Sequence, residues 1–292
     1  MKLPDFEYAA PATSAEVVQL LAGRRGEAKV ISGGQSLLPT MAFRLAQPAL
    51  LIDLRNLQGL DHITIESSGV RLGARTRWRD IEDDARLRAA HPLLVEAVSH
   101  VAHYQVRNRG TVGGSLAHAD PASELPCVAV TCDAELKLLG PRGERRVKAA
   151  EFFRGPLTTA LADDEIILEL SLPPWPCDRR WAFSEFARRR GDFALAGVAV
   201  CYDLDERERA CNVHIGVLGA CHYPRRLRRA ERALEGRPVD LETARSAGVA
   251  ASEEVDPIGD FHAGADYRKA LVGTLLERAL LKSNAQSIEN CF

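Results

Sequence analysis

The chain has 292 residues, 46% of them hydrophobic and 27% charged, which suits a globular protein of two compact domains or one with an appendage. A formal net charge of −2 gives no electrostatic reason to expect nucleic acid as a partner. No apolar run approaches the ~20 residues of a membrane helix, and the opening MKLPDFEY carries acidic residues and a proline where a secretion signal carries an apolar core, so a cytoplasmic protein is expected.

Along the chain, Thr13 and Glu16 have the spacing of a capping box and open an amphipathic helix through Val17, Leu20 and Leu21, with Gly23 as its stop. A strand, AKVIS, then runs into Gly33 and Gly34, and ALLIDLRN reads as a fully buried strand because its apolar run is continuous. HITIES and VRLGAR form a hairpin across Ser-Ser-Gly. Thr76 is expected to cap a helix through RWRDIEDDARL, and Pro92 to open one helix over PLLVEAVSHVAHYQV that empties into a second glycine run. PASELPCVAVTCD reads as helix, AELKLLG and RRVKA as a hairpin, and EIILELSLP as a strand. The prolines of PPWPCDRRW mark a boundary. Beyond it lie three antiparallel strands, WAFSEFARR, FALAGVAVCYDL and CNVHIGVLGA, and then helices, the order of an α+β domain from about Cys177 to the end.

The cysteines, Cys127, Cys132, Cys177, Cys201, Cys211, Cys221 and Cys291, include no pair two residues apart, the spacing usual in zinc and iron–sulfur ligand sets. They read as thiols in a reducing compartment, most of them in apolar surroundings. His100 and His103 lack a third ligand and do not make a metal site.

Chemistry concentrates in the two glycine runs, VISGGQSL at Val30 to Leu37 and TVGGS at Thr111 to Ser115. Paired glycines let backbone N–H groups converge on an anion, and Ser36, Thr111 and Ser115 add hydroxyls. Neither run has the Gly-x-Gly-x-x-Gly of a Rossmann site or the Gly-Lys-Ser/Thr of a P-loop. Two such runs suit a pyrophosphate, hence a dinucleotide between two subdomains. Spacing alone does not name it.

SGGQSLLPTM, RNRGTVGGSLAHADPASELP and FARRRGDFALAGVAV resemble the FAD-binding medium subunit of the molybdenum hydroxylases, the family of xanthine and carbon monoxide dehydrogenases. The likeness runs nearly end to end. It implies a two-part FAD-binding domain of the PCMH type, residues 1–57 and 58–176, followed by a C-terminal α+β domain of the CO dehydrogenase flavoprotein type at 177–292.

The resemblance also implies roles. Val30, Ile31, Ser32, Gly33, Gly34, Gln35, Ser36 and Leu37 would wrap the FAD pyrophosphate from one side, and Thr111, Val112, Gly113, Gly114 and Ser115 from the other. Val101 and Ile167 match apolar cofactor contacts, although both also read as plain core residues. Glu124 matches an acidic contact, with a helix-dipole role as its ordinary alternative, and Asp120 shares its loop and could equally be an N-cap. Asp192 and Phe193 belong to the stretch bordering the isoalloxazine ring. Glu185 is a departure: several relatives place a lysine there, and a carboxylate would disfavour an anionic reduced flavin that a lysine stabilises.

No general base is demanded of such a chain. A partner subunit with the molybdenum cofactor hydroxylates the substrate, a small subunit with two [2Fe–2S] clusters relays electrons, and FAD passes them to an external acceptor. The implied assembly is a dimer of heterotrimers. The arginine runs 188–190 and 225–229 are candidate subunit contacts on charge alone. The alternatives are a self-sufficient FAD oxidoreductase resembling an alcohol oxidase, for which no residue offers a persuasive flavin tether, and a non-catalytic assembly relative.

Overall fold

Thr13 Oγ1 accepts from the Glu16 N–H at 3.2 Å, and Glu16 reaches back to the Thr13 N–H at 3.3 Å. That reciprocal cap starts the helix Ser14–Gly23, whose Val17, Val18 and Leu21 are buried. In the computed structural model, which describes residues 2–285, Cys291 lies outside the described chain. The helix packs on a three-stranded parallel sheet ordered Glu7–Ala9, Leu50–Asp53, Ala28–Ile31. Leu50–Asp53 is central and buried at every position, the physical reason for its unbroken apolar run.

A five-stranded antiparallel sheet follows, ordered Ile63–Glu66, Gly69–Gly73, Ile166–Leu172, Glu135–Gly140, Gly143–Lys148. Both expected hairpins are present, and the late strand Ile166–Leu172 inserts between them. Residues 78–131 form helices whose Trp78, Leu87, Leu94, Val98, Leu125 and Val128 build the main core with this sheet.

Two helix expectations need correction. Thr76 caps nothing: its hydroxyl donates to the His62 carbonyl at 3.0 Å, and Arg77 stands at the cap of Trp78–Asp83, bound to Asp80. The helix from Pro92 stops at His100, and a separate turn, Tyr104–Arg107, follows. Ala102, at φ 40°, breaks the path between them.

The C-terminal strands Arg180–Phe186, Ala196–Leu204 and Ala210–Leu218 are antiparallel, with Arg225–Arg226 at one edge, and the helices Arg228–Leu234, Leu241–Glu254 and Ala265–Asn284 pack with them. Ala196–Leu204 is buried on both faces. Val198, Val200 and Tyr202 join the core of the C-terminal helices, while Ala199 and Cys201 join the core built on the preceding sheet. One strand thereby belongs to two cores and ties the domains together. A Cβ at Gly216 would strike Thr131 and Cys127, so the helix Glu124–Thr131 seats directly on this sheet.

Candidate functional site

The first glycine run leaves the strand at Ile31, turns through Ser32–Ser36 and enters the short helix Leu37–Ala42. Gly34 has φ +73°, a conformation side chains disfavour. Gln35 Nε2 donates to the Gly33 carbonyl at 3.2 Å and stiffens the turn. Among the described residues, the N–H groups of Gly33, Gly34, Gln35 and Ser36 have no acceptor on the protein. Partly buried donors of this kind call for an anionic or polar partner.

What crowds Gly33 is the second run. A Cβ there would collide with the backbone of Arg109 and Gly110, and Thr111 Oγ1 donates to Ser32 Oγ at 3.1 Å. The two runs, 79 residues apart, form one surface.

The second run differs from the expected amide-presenting loop. Val112–His118 is a helix, and Thr111 is its N-cap, accepting from the Gly114 N–H at 3.2 Å. The N–H groups of Val112, Gly113 and Ser115 go to Thr76, Ala74 and Thr111 carbonyls. Gly113 is glycine because Ala74 lies against it. With those amides engaged and the Thr111 hydroxyl spent on Ser32, the run offers the Ser115 hydroxyl and the bare surface of exposed Gly114.

Val101 follows the helix Pro92–His100 and is 9% exposed; Ile167 is 5% exposed, and both belong to the main core. Arg107, which sequence reasoning missed, donates to the Val101 and Ala102 carbonyls at 3.0 and 3.2 Å and to Glu82 at 3.0 Å, clamping the bend beside Val101. Gly191 packs on that bend: a Cβ would meet His103 and the Ala102 carbonyl. Asp192 and Phe193 are exposed beside it, so the two segments share a rim.

Asp120 accepts from the Ala122 N–H at 2.8 Å, closing a turn, whereas the helix Glu124–Thr131 has Ser123 at its cap. Glu124 opens that helix, and burial, then the Glu185 charge, pushes its carboxyl up to about 8. Glu185 Oε1 lies 3.3 Å from His100 Nδ1. A cleft of about 730 Å³ between Arg25, the turn 140–145 and Asp163–Glu165 lies elsewhere and includes none of the residues predicted for the site.

The two arginine runs separate. Arg188, Arg189 and Arg190 are exposed. In the other run, Arg226 is 7% exposed and binds Glu231 at 2.6 Å and Asp133 at 3.0 Å. Arg225 donates to the Glu254 carbonyl, Arg228 pairs with Glu231 and Arg229 with Glu253. Arg225 and Arg226 are thus tied into the domain by internal partners, whereas Arg228 and Arg229 pair on the surface and remain exposed.

A family model described as the FAD binding domain in molybdopterin dehydrogenase matches residues 4–175, and one described as the CO dehydrogenase flavoprotein C-terminal domain matches 181–283. The nicotine 6-hydroxylase medium subunit of Paenarthrobacter nicotinovorans is 39% identical over 98% of this chain and 100% of its own length. The carbon monoxide dehydrogenase medium chain of Hydrogenophaga pseudoflava is 38% identical over 95% of this chain and 96% of its own. The structure of carbon monoxide dehydrogenase from that organism, lacking the Mo-pyranopterin moiety of its cofactor, superposes with a TM-score of 0.95 at 37% identity, covering 98% of this chain and 99% of the matched one. Fold, glycine runs and full-length similarity agree: the chain belongs to the family of FAD-binding medium subunits of the molybdenum hydroxylases.

Proposed function

We infer that this protein is the FAD-carrying electron-transfer subunit of a heterotrimeric molybdenum hydroxylase, working with a large molybdopterin subunit and a small iron–sulfur subunit. The observation that carries the reading is the turn Ser32–Ser36, whose N–H groups from Gly33 to Ser36 are unengaged and whose Ser32 hydroxyl accepts from Thr111, within a chain matched over residues 4–175 and 181–283 by this family. FAD, when bound, supplies the redox chemistry: it accepts an electron pair from the iron–sulfur partner and yields it to an external acceptor.

The chain's own groups hold, orient and shield. The amides of Gly33, Gly34, Gln35 and Ser36 take the pyrophosphate, flanked by Val30, Ile31, Ser32 and Leu37. Thr111 holds Ser32 and caps the helix, Ser115 adds a hydroxyl, and Val112, Gly113 and Gly114 shape the helix start. Val101 and Ile167 give an apolar wall, Asp120 and Glu124 line the same side, and Glu185, Asp192 and Phe193 approach from the C-terminal domain. The units 1–57, 58–176 and 177–292 are taken as two FAD-binding subdomains and a docking domain, in a dimer of heterotrimers in the cytoplasm. No helix among the described residues is long and apolar enough to cross a membrane.

Expression with the partner subunits tests the assignment. The complex should copurify with close to one FAD per chain; a colourless chain that does not take up FAD on reconstitution contradicts it.

A further inference from the structure

Large apolar side chains gather on the surface where the strand Arg180–Phe186 ends and the helix Ala265–Asn284 begins. Exposed Phe186 and Tyr267 meet edge to face, with ring centres 6.5 Å apart. On the loop before the helix, Phe261 is 89% exposed and packs on the His262 ring at 3.8 Å, and Ile258 is exposed as well. Single exposed apolar residues are ordinary, but a collection in one place marks a surface that another macromolecule covers.

The surface is braced from beneath. Buried Arg268 donates to the Leu195 and Gly219 carbonyls at 2.7 and 2.9 Å and to Asp260 at 2.8 Å. Asp260 in turn accepts from the N–H groups of His262 and Ala263 at 2.8 and 3.0 Å. The Leu195 N–H donates to the Phe186 carbonyl at 2.8 Å, and Arg188 Nη1 stands 3.5 Å from His262 Nδ1. The loops 187–195 and 256–264 are thereby held as one platform, so little ordering entropy is lost when something docks on it. Its charge is one-sided where the arginines stand. Arg188, Arg189 and Arg190 are exposed and have no carboxylate partner among the described residues, whereas Arg226, Arg228 and Arg229 each pair with one. Aromatic rings beside unpaired guanidinium groups are the composition of a protein–protein hot spot, with the arginines fitted to carboxylates. Exposed Asp192, Asp256 and Asp266 stand on the same segments and would repel an anionic membrane or a nucleic acid backbone, so a protein fits better.

We propose that this platform docks a partner subunit through a face of that partner that is apolar at its centre and bears carboxylates opposite Arg188, Arg189 and Arg190. This rests on the heterotrimer reading above. Phe261, Ile258 and Tyr267 are the apolar anchors, and removing them from water holds the complex together. The arginines steer encounter and fix the register, a contribution that salt screens.

The test co-expresses the tagged full chain with both partner subunits and measures how much of each it captures. Phe261→Ser combined with Ile258→Ser, and Arg189→Glu combined with Arg190→Glu, should each weaken capture of one partner at least about 10-fold at low salt. All four side chains are exposed, so melting temperatures should stay within about 2 °C of the wild type and exclude misfolding as the cause. Leu241→Ser combined with Val249→Ser removes exposed apolar groups outside the platform and should leave capture unchanged. Wild-type capture by both platform variants, or an equal loss in the Leu241 and Val249 variant, overturns the proposal. So does sedimentation of the chain with vesicles of phosphatidylcholine and phosphatidylserine that the platform variants abolish, which would assign the surface to a membrane. A wild-type chain that captures neither subunit overturns the heterotrimer reading itself, and the proposal with it.

Discussion

At the scale of residues, close approach is the currency of the site, though what approaches differs from the sequence expectation. Gly33 is kept bare by Arg109 and Gly110, so its role is to join the two runs. Gly33→Val should cost roughly 1–3 kcal/mol of stability through overpacking, read as a drop in midpoint denaturant, and should reduce FAD retention because it parts Ser32 from Thr111. Thr111→Val removes an N-cap, worth about 1 kcal/mol, together with the Ser32 contact. Glu185 was legible as a departure, but its partner was not. His100 and Glu96 have helical i,i+4 spacing that a reader can see, whereas Glu185 lies on a strand that only the tertiary fold brings to His100.

The same cluster gives stability a pH signature. The folded-state value of His100 is about 9 against an ordinary 6.5, so its contribution is complete below about 6.5 and is lost as pH rises through 9. Glu124 has a folded-state value of about 8 against 4.5, so the folded chain holds a proton that the unfolded chain gives up, and stability declines as pH rises through that window. Melting temperature should therefore fall between neutral pH and about 9, and His100→Gln should flatten that limb. A slope unchanged in the variant contradicts the assignment. On the acid side, His91 is buried against Trp175 and caps the helix Pro92–His100 through Nδ1, and burial lowers its imidazole to about 3. Its contribution is present above about 6.5 and is lost as pH falls toward 3.

At the scale of elements, most strands and helices could be read from period and punctuation, because hairpin turns, proline and capping boxes act locally. The failures were failures of context. Thr76 is a good cap by type, yet it is fully buried and its hydroxyl serves His62. TVGGS looks like a loop because glycine is a poor helix former, but Thr111 caps it and its amides find Thr76 and Ala74 carbonyls. The insertion of Ile166–Leu172 between two hairpins leaves no mark in local sequence. Helix–helix packing gives a further prediction at this scale. Gly248 and Gly273 let Leu241–Glu254 and Ala265–Asn284 touch backbone to backbone. Gly248→Leu should destabilise the chain by about 2 kcal/mol or more, visible in chemical denaturation, with FAD affinity nearly unchanged.

At the scale of the whole molecule, the strand Ala196–Leu204 makes the C-terminal domain part of the flavin half's core, so the surface at Asp192–Phe193 is held against the bend at Ala102. Arg226→Glu should destabilise by about 3 kcal/mol, because it leaves buried Glu231 facing a like charge. Reversal of exposed Arg188, Arg189 and Arg190 should leave stability within about 0.5 kcal/mol and so gives a clean probe of subunit docking. The family resemblance carried the cofactor and the partners; residue chemistry alone reached a phosphate-bearing ligand held by two runs. Titrating FAD into the apo-chain with Gly34→Val and Gly114→Val combined should show affinity weakened at least about 100-fold, or about 2.7 kcal/mol, with the native circular dichroism spectrum retained; FAD held as tightly as by the wild type would contradict a cofactor gripped by the two glycine runs.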